Sequence, residues 1–179
     1  IDGYINGYNA GSASFQHATI EYSGYGIFGE DLGANAGYLT VTNSTVRNNG
    51  RGISNRTVNS SATGTVSITN SLIVDNSGYG IYGNNDEDHW TITGNTITGN
   101  RSRPIYLDNS RYSATVSDNV ISDNDSGIYI QIVRDNFVFS GNTVSNNSGE
   151  GLRYLNHYSE SDRATDSITV TNNTIIGNN

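Results

Sequence analysis

Apolar and polar positions recur along this chain with a period of roughly two dozen residues. In each copy an apolar residue is followed five places later by a second apolar residue, and three places further by a polar one. The first apolar column reads Phe15, Val41, Ile68, Ile92, Val116, Phe139 and Val170. The second reads Ile20, Val46, Ile73, Ile97, Ile121, Val144 and Ile175. Such self-similarity is the signature of a repeat architecture.

Two further columns complete the repeat. The polar column is Ser23, Asn49, Asn76, Asn100, Asn124, Asn147 and Asn178. The third apolar column, mostly after Gly, is Ile27, Ile53, Ile81, Ile105, Ile128 and Leu152. Successive members of the second column lie 26, 27, 24, 24, 23 and 31 residues apart. Loops of variable length follow the third column, and insertions on one face of a repeat array often build its binding surface.

Each copy holds three short runs in which inward and outward positions alternate, as in half-buried β-strands. In the copy WTITGNTITGNRSRPIY these runs are residues 91–93, 96–98 and 105–107. The residues between the runs are mainly Gly, Asn, Asp and Ser, which favour tight turns. Because no window carries a sustained helical stripe of apolar residues, we expect no helices.

Three strands joined at corners describe one coil of a β-solenoid. Coils stacked in register form parallel sheets at about 4.8 Å per coil, so seven coils span roughly 34 Å. The recurring Asn is then expected to hydrogen-bond to the Asn of the coils above and below, as amide ladders do in stacked chains. The rival architecture is an antiparallel β-sandwich. It does not predict the same pattern of apolar and polar positions in seven copies.

The repeat units also resemble a known family. VTNSTVRNNGRGI, ITNSLIVDNSGYGIY, ITGNTITGNRSRPIY, VSDNVISDNDSGIYI and FSGNTVSNNSGEGLRY are similar to the repeats of the right-handed β-helix, pectin-lyase-like superfamily. The resemblance extends over about residues 13–178. We therefore predict an all-β fold: a right-handed, single-stranded parallel β-helix of about seven coils with three parallel sheets. The superfamily includes polysaccharide lyases, glycoside hydrolases, epimerases, phage tailspikes and non-catalytic surface proteins, so the fold alone does not give an activity.

Length and composition favour a single β-helix domain over residues 1–179, which we expect to be a fragment of a larger protein with flanking β-helix or other domains. Residues 1–12 are expected to form a degenerate first coil or a linker. The chain contains no Cys, which excludes disulfides and Cys-ligated metals. It contains no apolar run long enough to insert into a membrane.

The charge is acidic: 17 acidic residues against 9 basic ones, all of them Arg, give a formal net charge of −8. No basic stripe is visible, which argues against nucleic-acid binding. An acidic chain without Lys suits a secreted protein in the extracellular space or at the cell surface. The alternative is that the charge serves solubility alone.

The outward position after the third apolar column predicts an aromatic strip. That column reads Phe28, Ser54, Tyr82, Tyr106, Tyr129 and Arg153. Three tyrosines on neighbouring coils are expected about 5 Å apart, where they offer a surface for sugar rings. Asn84 and Gln131, two places further on, would supply hydrogen bonds to a polysaccharide or cell-surface glycan. The alternative is that the tyrosines pack on one another as cross-strand pairs.

An acidic loop at residues 84–89 is the candidate metal site. Asp86, Glu87 and Asp88 could hold Ca²⁺, which takes six to eight oxygen ligands, so Ca²⁺ is the cofactor that this loop suggests. The alternative is a solvated acidic loop. A second metal site would combine His89 and His157 with Asp88 or Asp108, if the two histidine loops fold over the same face.

The family resemblance also suggests candidate catalytic residues. In the similar lyases calcium offsets the substrate carboxylate and an Arg or Lys removes the neighbouring proton. Because the chain has no Lys, Arg111, Arg134 and Arg153 are the candidates for this base here, and Asp108 is a further candidate catalytic residue. Hydrolysis would instead need two carboxylates, such as Asp108 with Asp135 or Glu150.

Hydroxyl residues line the first run of most coils. The run reads TVT at residues 40–42, SIT at 67–69, TIT at 91–93, TVS at 115–117 and TVT at 169–171. Regular Thr-x-Thr arrays resemble those of ice-binding proteins, although Thr is also an ordinary exposed strand residue. We thus predict a module with a non-catalytic polysaccharide-binding or adhesive face. The alternatives are a polysaccharide lyase, epimerase or glycoside hydrolase, and an ice-binding Thr-rich face.

Overall fold

The computed structural model describes residues 3–6, 11–30, 37–56, 63–84, 88–110, 112–132, 136–155 and 167–179. Within these ranges the chain forms 21 β-strands, numbered β1 to β21 in chain order, and no helix. The strands build three parallel sheets of seven strands each, which confirms the predicted all-β fold with three parallel sheets. In this part of the chain no helix is long and apolar enough to cross a membrane.

Each sheet collects one run from every copy of the repeat. Sheet 1 consists of β2 (Ala13–Gln16), β5 (Tyr38–Thr42), β8 (Thr65–Thr69), β11 (His89–Thr93), β14 (Ala114–Ser117), β17 (Phe137–Ser140) and β20 (Ile168–Thr171). Sheet 2 consists of β3 (Thr19–Glu21), β6 (Thr45–Arg47), β9 (Leu72–Val74), β12 (Thr96–Thr98), β15 (Val120–Ser122), β18 (Thr143–Ser145) and β21 (Thr174–Ile176). Sheet 3 consists of β1 (Gly3–Asn6), β4 (Tyr25–Glu30), β7 (Arg51–Arg56), β10 (Ile81–Asn84), β13 (Ile105–Ser110), β16 (Ile128–Ile132) and β19 (Leu152–Leu155).

The strand register places equivalent residues of successive copies directly over one another. Ile97 of β12 pairs with Ile73 of β9 on one side and with Ile121 of β15 on the other. The first apolar column pairs in the same way from Phe15 to Val170. The prediction that positions about two dozen residues apart share one place in consecutive coils is therefore confirmed.

The number of coils is slightly lower than predicted. Among the described residues, six coils have all three strands, from β2–β4 to β17–β19. Within the described part of the chain, β1 precedes these coils alone, and β20 and β21 follow without a third strand. The prediction of about seven coils is thus slightly too high, because the described residues of the first and last copies form only part of a coil.

The core is one continuous cluster running along the solenoid. It contains the three predicted apolar columns, whose members from Ile27 to Val144 are almost completely buried. Two more inward columns were not predicted. One, in sheet 1, contains Leu39, Val66, Trp90, Ala114 and Phe137, and the other, in sheet 3, contains Leu107, Ile130 and the partly buried Tyr154. Burial of each large side chain stabilises the fold by roughly 1.5–3 kcal/mol.

The chain turns at two short corners in every coil, one before and one after sheet 2. Each corner begins with a residue whose φ lies between 49° and 69°, the left-handed region that Gly, Asn and Asp tolerate best. The corner before sheet 2 uses His17, Asn43, Asn70, Gly94, Asp118, Gly141 and Asn172. The corner after sheet 2 uses Tyr22, Asn48, Asp75, Gly99, Asp123, Asn146 and Gly177.

At most corners the left-handed residue is followed by a buried Asn or Ser. After sheet 2 the predicted Asn ladder is confirmed, with Nδ2-to-Oδ1 hydrogen bonds of 2.8–3.1 Å from Asn49 through to Asn178. A second ladder, not predicted, connects Asn95, Asn119, Asn142 and Asn173 at the corner before sheet 2. Together the two ladders satisfy buried backbone groups that the turns leave without strand partners.

Candidate functional site

The three predicted tyrosines form a stack on the outer side of sheet 3, here called the tyrosine ladder. The register pairs Tyr82 with Tyr106 and Tyr106 with Tyr129. Their ring centroids are 5.4 and 5.0 Å apart, and the ring planes deviate from parallel by only 9° and 16°. The expected spacing is confirmed. Because Tyr106 has a near-parallel ring on each side, its faces are turned towards its neighbours and a ligand meets mainly ring edges and hydroxyls.

A second column flanks the ladder, two residues before the third apolar column. It reads Tyr25, Arg51, Tyr79, Arg103, Ser126 and Glu150, so tyrosine and arginine alternate over its first four coils. Tyr79 packs on Tyr82 and Tyr106 with centroids 4.9 and 5.3 Å apart. We call this alternating column and the ladder together the Tyr–Arg face.

Arginine side chains pack against the rings at both ends of the tyrosine ladder. The Arg51 guanidinium lies 4.6 Å from the ring centroid of Tyr82, 5.4 Å from that of Tyr25 and 5.5 Å from that of Tyr79. At the other end Arg103 and Arg153 lie 5.2 and 5.8 Å from the centroid of Tyr129. These are cation–π distances, which favour a cation held against an aromatic ring.

The charged partners of these arginines differ. Among the described residues Arg51 forms no ion pair, whereas Arg103 and Arg153 lie 4.0 and 3.7 Å from Glu150. In the outward column Arg51 shares its coil with Ser54, whose side chain is completely buried although the position faces outward. Ser54 pairs with Tyr82 of the next coil but carries no ring, and the Arg51 guanidinium packs on the Tyr82 ring instead.

Each ladder hydroxyl is bonded to the residue two places further along its own strand. Asn84 Nδ2 donates to the Tyr82 hydroxyl at 2.8 Å, while the Tyr106 hydroxyl donates to Asp108 Oδ2 and the Tyr129 hydroxyl to Gln131 Oε1, both at 2.8 Å. Burial raises the pKa of the Tyr106 phenol well above its usual range, and the hydrogen bond and negative charge of Asp108 add to the effect. The five predicted substrate-binding residues therefore lie together; their role in binding stays a prediction.

The family comparison agrees with this architecture. A family profile described as "Right handed beta helix region" matches residues 3–175, almost the entire chain. The chain belongs to the right-handed β-helix family. The resemblance of its repeats to pectin-lyase-like β-helices is thereby confirmed. No curated protein and no solved structure shows significant similarity to this β-helix.

The candidate catalytic residues of the β-helix are only partly described. Asp108 accepts the hydrogen bond of Tyr106, and Arg153 lies near Glu150 two coils away from Asp108. Arg111 and Arg134 lie outside the described residues, as does Asp135, one of the two possible carboxylate partners for hydrolysis. Asp108 and Arg153 are thus each engaged with a neighbour on the Tyr–Arg face, and their part in catalysis stays a prediction.

The candidate calcium site is also partly described, since Asp86 and Glu87 lie outside the described residues. Asp88 is completely buried in the β-helix: Oδ1 accepts the Gly64 N–H and Oδ2 accepts Nδ2 of Asn55, each at 2.7 Å. Both carboxylate oxygens therefore accept hydrogen bonds within the fold. This arrangement suits a structural carboxylate better than a calcium ligand. Within the described ranges no group of three or more acidic or imidazole side chains is gathered to hold a metal ion.

The hydroxyl rows of sheet 1 are partly bonded to each other. Thr42 pairs with Thr69 at 3.1 Å and Thr93 with Ser117 at 3.0 Å. The array is interrupted by Val138 of β17, as its sequence indicates. Ice binding by this face of the β-helix stays a prediction.

Sequence reasoning missed the residues that complete the Tyr–Arg face. Arg51, Tyr79 and Arg103 contact the ladder, yet none was singled out. A signal exists: each stands two places before the third apolar column, in the units RGI, YGI and RPI. An outward residue at that offset must lie beside the ladder in any parallel β-helix with this register.

Proposed function

We propose that this chain is a non-catalytic β-helix module that binds a polysaccharide along the Tyr–Arg face, outside the cell or at its surface. The observation that carries the proposal is the alternation of Tyr25, Arg51, Tyr79 and Arg103 beside the tyrosine ladder. Repetition of similar groups at about 4.8 Å per coil suits a linear polymer lying along the solenoid. Polysaccharides in the extracellular space and on cell surfaces are partners of this shape.

Polymers with carboxylate groups are the first class to test. Guanidinium forks bind carboxylates in bidentate geometry, and Arg51 has no ion-pair partner among the described residues. Stacked rings with covered faces also present their edges, which are the electropositive part of an aromatic ring. The net charge of −8 opposes unspecific binding of a polyanion, so binding requires the local arrangement of arginine and tyrosine side chains.

The test is affinity electrophoresis in gels containing polygalacturonate, alginate or a neutral β-glucan. We expect retardation by an acidic polymer, reduced at least about fivefold in apparent affinity by Arg51→Gln, a loss of about 1 kcal/mol as for one charge-assisted contact. Arg101→Gln is the matched control, because it removes the same charge from an exposed site off this face. Equal loss in both variants, or no retardation of the wild type, would contradict the proposal.

The same mixtures separate binding from catalysis. Ultraviolet absorbance of unsaturated sugars reports lyase activity, and reducing-end release reports hydrolysis. We expect neither signal to exceed that of the polymer alone. Turnover that disappears in Asp108→Asn would instead assign this face to an enzyme.

A further inference from the structure

A cleft of about 540 Å³ lies at the corner between sheets 2 and 3, away from the tyrosine ladder. It extends over four coils, from Tyr22 past Asn48 and Asp75 to Gly99 and Arg101. Three steps of about 4.8 Å give it a length of roughly 14 Å. Its volume is within the range of about 300–1,000 Å³ that is usual for small-molecule sites. We refer to it as the corner cleft.

The polar side chains that line the corner cleft differ in how far the fold uses them: the hydroxyl of Ser77, for example, donates to the carbonyl of Asn49. Behind them the buried amides of Asn49 and Asn76 are fully engaged in the ladder. By contrast, the carboxylate of Asp75 and the guanidinium of Arg101 form no ion pair among the described residues, either with each other or with another group. The cleft is therefore lined by a guanidinium donor and a carboxylate acceptor that can both form hydrogen bonds to a ligand.

Tyr22 forms one end of the cleft and is unusual in two respects. Its φ is 59°, in a column where the other described members are Asn, Asp or Gly, so a bulky side chain is strained there. Its side chain is also 77% exposed, so burial in the core does not offset that strain. Strained residues that persist without a packing reason are often found at binding sites.

We propose that the corner cleft binds a neutral oligosaccharide, with one sugar ring against Tyr22 and the hydroxyls of the rings along the cleft bonded to Asn48, Asp75 and Arg101. Aromatic rings take the apolar face of a sugar, while carboxylate, amide and guanidinium groups bond to its hydroxyls. The charges of Asp75 and Arg101 balance, which favours an uncharged ligand over the polyanion proposed for the Tyr–Arg face. The open, polar trough suits a chain of sugars rather than an apolar ligand.

The test is isothermal titration calorimetry with cellohexaose, xylohexaose and mannohexaose on the full chain. We expect saturable binding of at least one of them, weakened at least about tenfold by Tyr22→Asn, because the ring contact is lost. Tyr22→Phe keeps the ring and is expected to bind within about twofold of the wild type. Tyr22→Asn suits the left-handed backbone, so loss of binding by misfolding is not expected, and circular dichroism checks this.

Two controls separate this site from the rest of the surface. Tyr38→Thr removes a tyrosine that is 49% exposed on sheet 1 and should leave binding unchanged. Arg51→Gln should leave neutral-sugar binding unchanged as well, even if it abolishes retention by acidic polymers. Absence of saturable binding to all three sugars, or equal binding by Tyr22→Asn and wild type, would overturn the inference without affecting the Tyr–Arg face.

Discussion

Asn100 donates a hydrogen bond from Nδ2 to Oδ1 of Asn124 on the next coil, at 2.9 Å. The same amide group donates to the carbonyl of Ile73 on the preceding coil at 3.2 Å. On its acceptor side, Oδ1 of Asn100 receives both the backbone N–H and Nδ2 of Asn76, at 3.2 and 2.9 Å. One completely buried side chain thus connects three consecutive coils, and its donors and acceptors are all used.

Replacement of Asn100 by Ala should therefore be strongly destabilising. The change leaves the backbone N–H and Nδ2 of Asn76 without their acceptor in a buried position, at a cost of roughly 2–4 kcal/mol in the free energy of unfolding. Urea denaturation followed by circular dichroism measures the loss. Asp125→Ala, at an exposed position one coil further on, is the control and should change stability by less than about 0.5 kcal/mol. A similar effect of both substitutions would show that the ladder does not carry this energy.

Asp88 is the second buried polar connection for which we predict a large effect. Asp88→Ala removes the acceptor of the Gly64 N–H and of the Asn55 amide, and we expect a loss of about 3 kcal/mol. Asp88→Asn keeps one acceptor oxygen but turns an NH₂ group towards the other donor, so its loss should be intermediate. Denaturation in the presence of Ca²⁺ or a chelator completes the experiment. Stabilisation by Ca²⁺ that is lost in both variants would instead make Asp88 a calcium ligand.

The repeat predicted the core columns that consist mainly of Ile and Val. Columns of Ile and Val are visible in the sequence, whereas the column containing Trp90 also contains Ala114 and Phe137 and has no common shape. Its packing is set by the facing column: a Cβ on Gly83 would come within 2.7 Å of the Trp90 ring. Such size compensation between strands is a property of the folded coil, so spacing alone does not reveal it.

The candidate site was predictable to a similar extent. The ladder followed from the register, because Tyr82, Tyr106 and Tyr129 share one offset in consecutive copies. Arg51 and Tyr79 share an offset too, but they differ in chemical type, so their column does not stand out in the sequence. The second Asn ladder was missed for the same reason, since the early coils carry Ser44 and Ser71 at that corner.

The raised pKa of Tyr106 predicts how stability depends on pH. Above the ordinary tyrosine pKa of about 10 the unfolded chain loses this proton while the folded chain keeps it. The folded state then binds more protons than the unfolded state, so the free energy of unfolding falls as pH rises through this range. The stabilising contribution is complete below pH about 10. Tyr106→Phe removes this dependence, and the free energy of unfolding of the variant should fall less steeply than that of the wild type above pH about 10.

A spectroscopic titration checks the assignment of that pKa. Tyrosinate absorbance of the wild type should contain one tyrosine that titrates above its usual range, and Tyr106→Phe should lack that component. Tyr38→Phe is the control, because this exposed ring has no hydrogen-bonded carboxylate among the described contacts. An unchanged high-pH component in Tyr106→Phe would show that another tyrosine is responsible.

Two glycines with different surroundings provide the last prediction. A Cβ on Gly127 would overlap the backbone of Glu150 on the next coil, and backbone cannot move aside as a flexible side chain does. Gly127→Ala should therefore force neighbouring coils of sheet 3 apart and cost at least about 2 kcal/mol. A Cβ on Gly24 would meet no atom within 4 Å, and Gly24 is free of the left-handed φ seen at neighbouring corners. Gly24→Ala should therefore leave the free energy of unfolding unchanged or raise it by up to about 1 kcal/mol, because Ala lowers the conformational entropy of the unfolded chain. Thermal unfolding of both variants measures the difference, and equal midpoints would mean that adjacent coils are not in such close contact.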